Sequence, residues 1–226
     1  MSIDTEDVYT SGLYDKVMTT GLIGRYWNKI HRNMEKPFDK KSFPTILEIG
    51  AGTGQHFQFV KCEFNKYFET DIRLNLLINS TRSRHKRIRR ECQDVQELTF
   101  KDSYFDRVIV TCVLAHVEDV LKSLKEIRRV CKDGGVITIY LPTEPGLFLR
   151  IVRSLSTVAK NYRLGVSDPY FSHFQEHRNY FLAVNHFIKS IYADSNVNRR
   201  YFPFKGLSWN LNLYAIYQIE LKKSTK

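Results

Sequence analysis

The chain has 226 residues, of which 42% are apolar and 26% are charged. This balance excludes an intrinsically disordered chain and a collagen-like repeat, and the length predicts one elaborated domain with a sizeable core. The net charge of +11 favours an anionic partner such as nucleic acid, an anionic membrane or a phosphorylated substrate. A basic enzyme without any such partner is equally compatible with this charge.

Cysteine usage and the N-terminus indicate a cellular compartment. None of the four cysteines forms a Cys-x-x-Cys pair or a cluster with zinc-ligand spacing, so no metal site is predicted. The acidic, polar start MSIDTEDVYTSG is not typical of a signal peptide, and no window approaches roughly 18 uninterrupted apolar residues. We therefore expect a cytoplasmic protein with reduced thiols.

Strand and helix patterns alternate along the chain. The spacing of Leu22, Tyr26 and Ile30 predicts a first helix. Five strands are predicted at 45–49, 67–72, around 90–92, 106–111 and 136–141, with helices at about 55–62, 73–84 and 118–131. Gly134-Gly135 is expected to end the last of these helices. Helices are then predicted at 146–163 and 172–192, and two final strands at 201–204 and 211–221.

This order of elements predicts an α/β fold. Strands that alternate with helices form a mostly parallel, doubly wound sheet with helices on both faces. The last two strands have a short connection and should pair antiparallel, giving a seven-stranded mixed sheet with one antiparallel strand at the edge. We expect an N-terminal helical cap segment at 1–44 and a main domain at 45–226. The main domain divides into a core at 45–145 and a helical insertion with the final strand pair at 146–226.

A glycine loop follows the first strand. It reads Glu48-x-Gly50-x-Gly52-x-Gly54, where glycines permit positive φ angles and let a ligand approach bare backbone. A dinucleotide-binding loop has the spacing G-x-G-x-x-G, so its third glycine would come one residue later. A carboxylate at Glu48 is unsuited to a pyrophosphate and suits a ligand with an ammonium group. The loop therefore predicts a different cofactor.

The run ILEIGAGTG at 46–54 resembles motif I of class I S-adenosylmethionine-dependent methyltransferases. Further segments in the same order carry the resemblance through residue 141: Asp71 ending the second strand, Gln93-Asp94-Val95, the segment 105–119 and the segment 124–135. The general pattern is similar to the bacterial small-molecule and quinone-biosynthesis type. The resemblance implies a Rossmann-like sheet, S-adenosylmethionine as cofactor, and a methyltransferase domain in 45–226.

The resemblance also assigns cofactor contacts. It implies that the methionine end lies against the loop residues Glu48, Gly50, Ala51, Gly52 and Gly54. It implies that Asp71, with Ile72 beside it, binds both ribose hydroxyls, as an acidic residue about 20 positions after such a loop can do. Asp94, with Val95, would accept a hydrogen bond from the adenine amine, and Thr111 would complete the set. Asp71 and Asp94 would otherwise serve as helix caps.

Candidates for the acceptor side lie after the strands, because the ligand crevice of such a sheet is at their carboxyl ends. His116 is the predicted general base, since imidazole titrates near neutral pH; a capping or packing role remains the alternative. Cys112 is expected to be a buried thiol. The predicted acceptor pocket contains Tyr9, Tyr14, Tyr140, Glu144, His177 and Trp209.

Two basic segments are candidates for binding a partner. Residues 82–90 contain six Lys or Arg and are typical of a nucleic-acid patch, but we expect them on the face opposite the crevice. The predicted helix at 146–163 is basic and amphipathic. It would contact an anionic membrane, cover a lipidic substrate, or simply pack on the sheet.

The sequence therefore predicts a methyltransferase that acts on a small or lipid-linked, anionic acceptor such as a sugar, a quinone or a lipid head group. Peripheral contact with the inner face of a membrane is part of this prediction. The fourth strand lacks the Pro-Pro-aromatic motif of adenine amino methylases, which makes nucleic acid the less favoured partner. Two alternatives stay open: an RNA methyltransferase that uses residues 82–90, and a non-catalytic cofactor-binding partner protein.

Overall fold

The computed structural model describes residues 20–78, 86–158 and 177–223. One sheet contains seven strands: β1 Thr45–Ile49, β2 Lys66–Asp71, β3 Ile88–Cys92, β4 Phe105–Thr111, β5 Cys131–Pro142, β6 Asn196–Phe202 and β7 Tyr214–Glu220. The α-helices within these ranges are α1 Gly21–Glu35, α2 Leu74–Ile78, α3 Val120–Val130, α4 Leu147–Arg153 and α5 Phe181–Ile191. A π-helical turn at Ser154–Val158 continues α4.

The sheet has the strand order β3-β2-β1-β4-β5-β7-β6. The five strands β1 to β5 pair in parallel, whereas β7 pairs antiparallel with both β5 and β6. The predicted seven-stranded mixed sheet is thus confirmed. Its antiparallel strand β7 lies one position inside the edge, because β6 takes the edge itself.

Several predicted element boundaries are wrong. The helix expected at about 55–62 is absent, and turns with a 3₁₀ segment at Phe57–Phe59 replace it. Aromatic and β-branched residues in this stretch are weak helix formers, and His56 is drawn into the core. Helix α5 begins at Phe181 and residues 177–180 before it are not helical, whereas the predicted start at 172 lies outside the described residues. Strand β5 begins at Cys131, directly after α3. The expected stop at Gly134-Gly135 therefore lies inside a strand.

Helices cover both faces of the sheet. Leu124 of α3 and Val184 of α5 belong to one core cluster, on the first face. Ile30 and Met34 of α1 belong to the second cluster, which packs on the other face. Helix α1 thus contributes to the core of the main sheet, and the division into 1–44 and 45–226 stays a prediction. Within the described ranges, no helix has the length and apolar character needed to cross a membrane.

A buried polar network fixes α1 on the sheet. The guanidinium of Arg107 in β4 donates to both carboxylate oxygens of Glu35, at N–O distances of 2.6 and 2.8 Å. His56 Nε2 lies 2.8 Å from Glu35 Oε1, and His31 Nδ1 lies 2.8 Å from His56 Nδ1. Burial raises the pKa of Glu35, but Arg107 and His56 outweigh burial and lower that pKa to about 2. The carboxylate is therefore ionised at neutral pH.

Candidate active site

Backbone contacts from the neighbouring strands hold the glycine loop. The N–H groups of Gly50 and Ala51 both donate to the carbonyl of Thr70 in β2, at 2.8 and 2.9 Å. The N–H of Gly54 donates to the carbonyl of Ala51 and closes the turn. On the other side, Thr111 Oγ1 donates to the Gly50 carbonyl at 3.0 Å. Thr111 therefore supports the loop, and its contact with the cofactor stays a prediction.

Gly50 and Gly52 have positive φ angles of 73° and 54° but different surroundings. A Cβ atom at Gly50 would lie 2.1 Å from Val113 Cγ2, so only glycine lets the loop pack against the end of β4. A Cβ atom at Gly52 would meet no atom within 4 Å. The backbone of Gly52 therefore borders open space, where a ligand can approach it closely.

Asp71 connects the end of β2 to this loop. Its Oδ2 accepts from the Gly52 N–H at 3.0 Å, and its Oδ1 accepts from the Arg73 N–H at 2.9 Å. Burial raises the pKa of Asp71, and these N–H donors oppose the rise. A carboxylate oxygen can accept more than one hydrogen bond, so both oxygens can also accept from ribose hydroxyls. Beside it, Ile72 is exposed and offers an apolar surface.

Asp94 and Val95 follow β3. Asp94 Oδ1 accepts from the N–H of Gln96 at 2.9 Å. This contact closes a turn after β3, where no helix begins, so it is not the helix cap of the alternative interpretation. The Val95 side chain is buried in the first core cluster. The predicted contact between Asp94 and adenine stays a prediction.

Glu48 lies beneath the loop and not on its open side. Its side chain is fully buried, and Oε2 accepts from the Tyr67 hydroxyl at 2.6 Å. Oε1 has no hydrogen-bond partner among the described residues. Burial raises the pKa of Glu48 to about 7. The predicted contact between Glu48 and an ammonium group stays a prediction, although a buried oxygen without a partner is a site that favours a donor.

The structure brings three predicted acceptor-side residues together. The rings of His116 and His177 meet edge to face, with centroids 4.5 Å apart. His177 Nδ1 lies 2.7 Å from Glu144 Oε2, and Glu144 also forms an ion pair with Arg153. His116 Nε2 lies 3.9 Å from Cys112 Sγ. These side chains form a polar cluster at the carboxyl ends of β4 and β5.

The thiol in this cluster is not a nucleophile at neutral pH. Burial and the nearby charge of Glu144 raise the pKa of Cys112 to about 12. The residue also has a positive φ of 58° at the end of β4, an uncommon conformation for a residue other than glycine. Cys112 is partly buried and not fully buried, so the prediction of a buried thiol is met only in part.

Aromatic side chains lie next to the cluster. Tyr140, at the end of β5, is buried with its ring centroid 5.5 Å from that of Trp27 and 5.6 Å from that of Tyr214. Tyr26 also contacts Tyr214, at 5.7 Å. Trp209 stacks instead on Phe181, at 5.7 Å. The predicted pocket residues Tyr9 and Tyr14 lie outside the described residues.

Sequence reasoning missed three residues of this region: Tyr26, Trp27 and Arg153. The helical spacing identified α1 but gave no indication of which strand ends it covers. Arg153 was counted only as charge on an amphipathic helix. The position of α4 did indicate that Arg153 could contact the cluster, because α4 begins close to the predicted crevice.

The basic run is only partly described, since residues 79–85 lie outside the described ranges. Within β3, Arg90 Nε lies 2.8 Å from Glu69 Oε2. Arg87 donates to the Phe64 carbonyl at 3.0 Å. These two cations therefore have partners within the fold, and the location of the run opposite the crevice stays a prediction.

Comparisons with known proteins identify the domain. A family profile described as "Methyltransferase domain" matches residues 47–139. The uncharacterized protein MJ0638 of Methanocaldococcus jannaschii is 37% identical over 113 residues, which cover 50% of this chain and 47% of that protein. The match therefore spans less than half of that relative. A demethylmenaquinone methyltransferase of Corynebacterium kroppenstedtii is 29% identical over 165 residues, covering 69% of this chain and 68% of that protein.

The fold is also shared with solved structures. The N-methyltransferase NodS from Bradyrhizobium japonicum, in complex with S-adenosyl-L-homocysteine, superposes with a TM-score of 0.60 at 13% identity. The superposition covers 94% of this chain and 98% of NodS. The glycine loop, Asp71 and the strand order occur together with the matched profile. The chain thus contains a class I S-adenosylmethionine-dependent methyltransferase domain, with S-adenosylmethionine as its cofactor.

Proposed function

We propose that this protein transfers the methyl group of S-adenosylmethionine to a small or lipid-linked acceptor, such as a sugar, a quinone or a lipid head group. One observation carries the proposal: the Asp71 carboxylate accepts from the Gly52 N–H while the Gly52 backbone borders open space. A ribose-binding acid and a bare loop are thus adjacent. The demethylmenaquinone methyltransferase relative supports a ring-bearing acceptor.

The proposed cofactor contacts follow from this arrangement. When bound, S-adenosylmethionine supplies a methyl group on a positively charged sulfur, so the protein mainly positions the acceptor and removes its proton. The residues proposed for the methionine end form the loop or lie beneath it: Glu48, Gly50, Ala51, Gly52 and Gly54. Those proposed for the adenosine end lie at or just after the ends of β2, β3 and β4: Asp71, Ile72, Asp94, Val95 and Thr111.

Thermal unfolding with and without the cofactor tests this site. Ligand at about 100 times its Kd adds about 2.7 kcal/mol to the free energy of unfolding, which raises Tm by about 5–10 °C for a domain of this size. We expect this rise with S-adenosylmethionine and not with NADH. Asp71→Asn should abolish most of it.

A pair of glycine variants separates ligand contact from backbone strain. Gly52→Ala and Gly206→Ala both place a Cβ in open space at a positive φ, 54° and 80° respectively. Both variants should lose similar stability, about 1–2 kcal/mol. Only Gly52→Ala should also lose the rise in Tm with S-adenosylmethionine. If wild type shows no rise, or if Gly52→Ala keeps it, the proposed cofactor site is wrong.

Turnover separates the remaining alternatives. Methyl transfer to a sugar, quinone or lipid panel would support the proposal. Cofactor binding without transfer to any acceptor would favour the non-catalytic partner protein. Transfer to RNA, with binding that weakens steeply as salt increases, would favour the RNA methyltransferase instead.

We also propose peripheral contact with an anionic membrane, through α4 and its π-helical continuation. Leu147, Ile151 and Leu155 are exposed there beside the exposed cation Arg150, and Leu155 is 78% exposed. Wild type should co-sediment with phosphatidylglycerol-containing vesicles more than with pure phosphatidylcholine vesicles. Leu155→Ser should weaken this binding. The control is Leu22→Ser, because Leu22 is similarly exposed, at 74%, on α1. Equal effects of the two variants would contradict a specific membrane surface.

A further inference from the structure

His177, Glu144 and Arg153 come from three separate elements of the fold. Glu144 follows β5, Arg153 ends α4, and His177 precedes α5. Glu144 is 4% exposed, with Oε2 at 2.7 Å from His177 Nδ1 and Oε1 in the ion pair with Arg153. The carboxylate therefore joins an imidazole to a guanidinium at the carboxyl end of the sheet.

Backbone contacts hold the segment that carries His177. The Arg178 N–H donates to the Ala115 carbonyl at 2.9 Å, and the Phe181 N–H donates to the Glu144 carbonyl at 2.8 Å. Asn179 Nδ2 donates to the carbonyl of Val117 at 2.6 Å. These contacts fix the segment against the loop that carries His116. The imidazole of His177 is thus held by its own hydrogen bond and by its backbone.

The Glu144 carboxylate determines which nitrogen of His177 carries the proton. An ionised carboxylate accepts hydrogen bonds and cannot donate, so Nδ1 must be the protonated nitrogen in this pair. Nε2 of the neutral ring then carries the lone pair.

The cluster adjoins an aromatic surface. Arg153 and Cys112 both act electrostatically on the Tyr26 hydroxyl, which places Tyr26 close to the cluster. Tyr26 contacts Trp27 and Tyr214, and both of these contact Tyr140. Tyr140 and Tyr214 are buried, whereas Tyr26 and Trp27 are partly exposed. The partly exposed rings suit an apolar, ring-bearing molecule, and the imidazole suits one polar reacting atom on it.

We propose that Nε2 of His177 is the proton acceptor for a hydroxyl group on an apolar ring-bearing substrate. Glu144 and Arg153 are positioning residues for this imidazole. The inference rests on the proposed function and deepens it. His116 packs against His177, and this proposal gives to His177 the role of base that the sequence predicts for His116.

The hydroxyl proton passes to His177 Nε2, and an oxygen electron pair forms the bond to the methyl carbon. The carbon–sulfur bond breaks, and its electron pair stays on sulfur, which becomes a neutral thioether. The Glu144 carboxylate stabilises the resulting imidazolium. A hydroxyl needs such a base, whereas a thiol that is already ionised does not.

Two matched probes test the base directly: 2-naphthol and naphthalene-2-thiol. They share one ring system, but the thiol ionises at neutral pH without assistance. We expect wild type to methylate both. His177→Asn should slow transfer to 2-naphthol by about 100-fold or more, and Glu144→Gln by about 10-fold or more. Both variants should retain transfer to the thiol. His186→Asn, an exposed histidine on α5, is the matched control and should affect neither probe.

A spectroscopic readout is independent of turnover. With ¹⁵N-labelled histidine, NMR reports which imidazole nitrogen carries the proton, and His177→Asn assigns the signal. Wild type should show the Nδ1–H tautomer for His177. Glu144→Gln should decrease its population, because an amide partner no longer fixes the proton. An Nε2–H tautomer in wild type would overturn the proposal.

The remaining outcomes are also distinct. Equal losses for 2-naphthol and the thiol would mean that His177 only orients the acceptor, which overturns its role as base. A Tm rise with S-adenosylmethionine but transfer to neither probe would overturn the ring-bearing acceptor. No Tm rise would refute the proposed function itself. The Tm rise also shows whether each variant is folded.

Discussion

The buried ion pair between Glu35 and Arg107 should dominate the attachment of α1 to the sheet. Arg107 is fully buried, and its guanidinium meets both oxygens of a carboxylate 72 residues earlier in the chain. The guanidinium carbon also lies 4.0 Å from the ring centroid of Phe38. Arg107→Met keeps a long apolar side chain and removes the charge. Glu35 then remains buried without its principal partner.

Removing one partner of a buried ion pair costs about 3–5 kcal/mol. The pKa of Glu35 is lowered from 4.5 to about 2 by Arg107 and His56 together, which corresponds to about 3 kcal/mol at about 1.4 kcal/mol per pH unit. A loss of about 4 kcal/mol lowers Tm by about 8–16 °C for a domain of this size.

The effect should depend on pH in a defined direction. The folded-state pKa of Glu35 lies below its value in the unfolded chain, so the contribution is fully present above about pH 4.5. It is lost as the pH falls through about 2. The difference in Tm between wild type and Arg107→Met should therefore decrease from pH 6 to pH 3.

Circular dichroism during heating at pH 6 measures this effect. The control is Lys122→Met, which removes an exposed pair with Glu97 at 3.6 Å and should cost less than about 1 kcal/mol. The double variant Arg107→Met/Glu35→Leu should recover most of the loss, because no buried charge is left without a partner. A loss in Arg107→Met no larger than that in Lys122→Met would refute the reasoning.

Three further predictions concern the loop and the thiols. The pKa of Glu48 is about 7 in the folded protein and 4.5 in the unfolded chain, so stability falls as the pH rises from about 4.5 to about 7. Glu48→Gln removes this loss and should raise Tm at pH 8 but not at pH 5; equal effects at both pH values would contradict this. Gly50→Ala should lower the free energy of unfolding, measured in urea, by about 2 kcal/mol or more. Adding Val113→Ala should reduce this loss, because it removes the Cγ2 atom that the new Cβ atom would meet. Cys92 is exposed and should react with a thiol reagent at pH 8 in the native protein, whereas Cys112, with its pKa raised to about 12, should react only on unfolding.

The sheet and the cofactor loop could be predicted because their signals are local. Short apolar runs identify strands, and their alternation with helices limits the topology. Asp71 comes 21 residues after Gly50, at the end of the strand that pairs with β1. Two adjacent parallel strands end at the same edge, so this spacing places Asp71 beside the loop. The 3.0 Å contact with Gly52 agrees with that expectation.

The buried network could not be predicted in the same way. Glu35 ends an amphipathic helix, where a charged residue is normally solvated, and nothing near it in sequence identifies Arg107 as its partner. Arg107 did carry a usable signal. It interrupts the strand FDRVIVT, which reads as buried on both faces, and a charge in such a strand requires a partner. The absence of a helix at 55–62 could not be predicted for the same reason, because His56 belongs to this network and its partner Glu35 is distant in sequence.

The anchored helix connects the proposed acceptor side to the segment that follows the glycine loop. Glu35 lies nine residues after Tyr26, or about 13 Å along α1 at about 1.5 Å per residue. The anchor at one end of the helix thus holds the aromatic side chains Tyr26 and Trp27 near the end of β5. The glycine loop is held by backbone hydrogen bonds to β2 and by the Thr111 side chain of β4. Glu35 also contacts His56, two residues after Gly54. Loss of the ion pair should therefore disturb the end of the glycine loop as well as the aromatic side chains of α1.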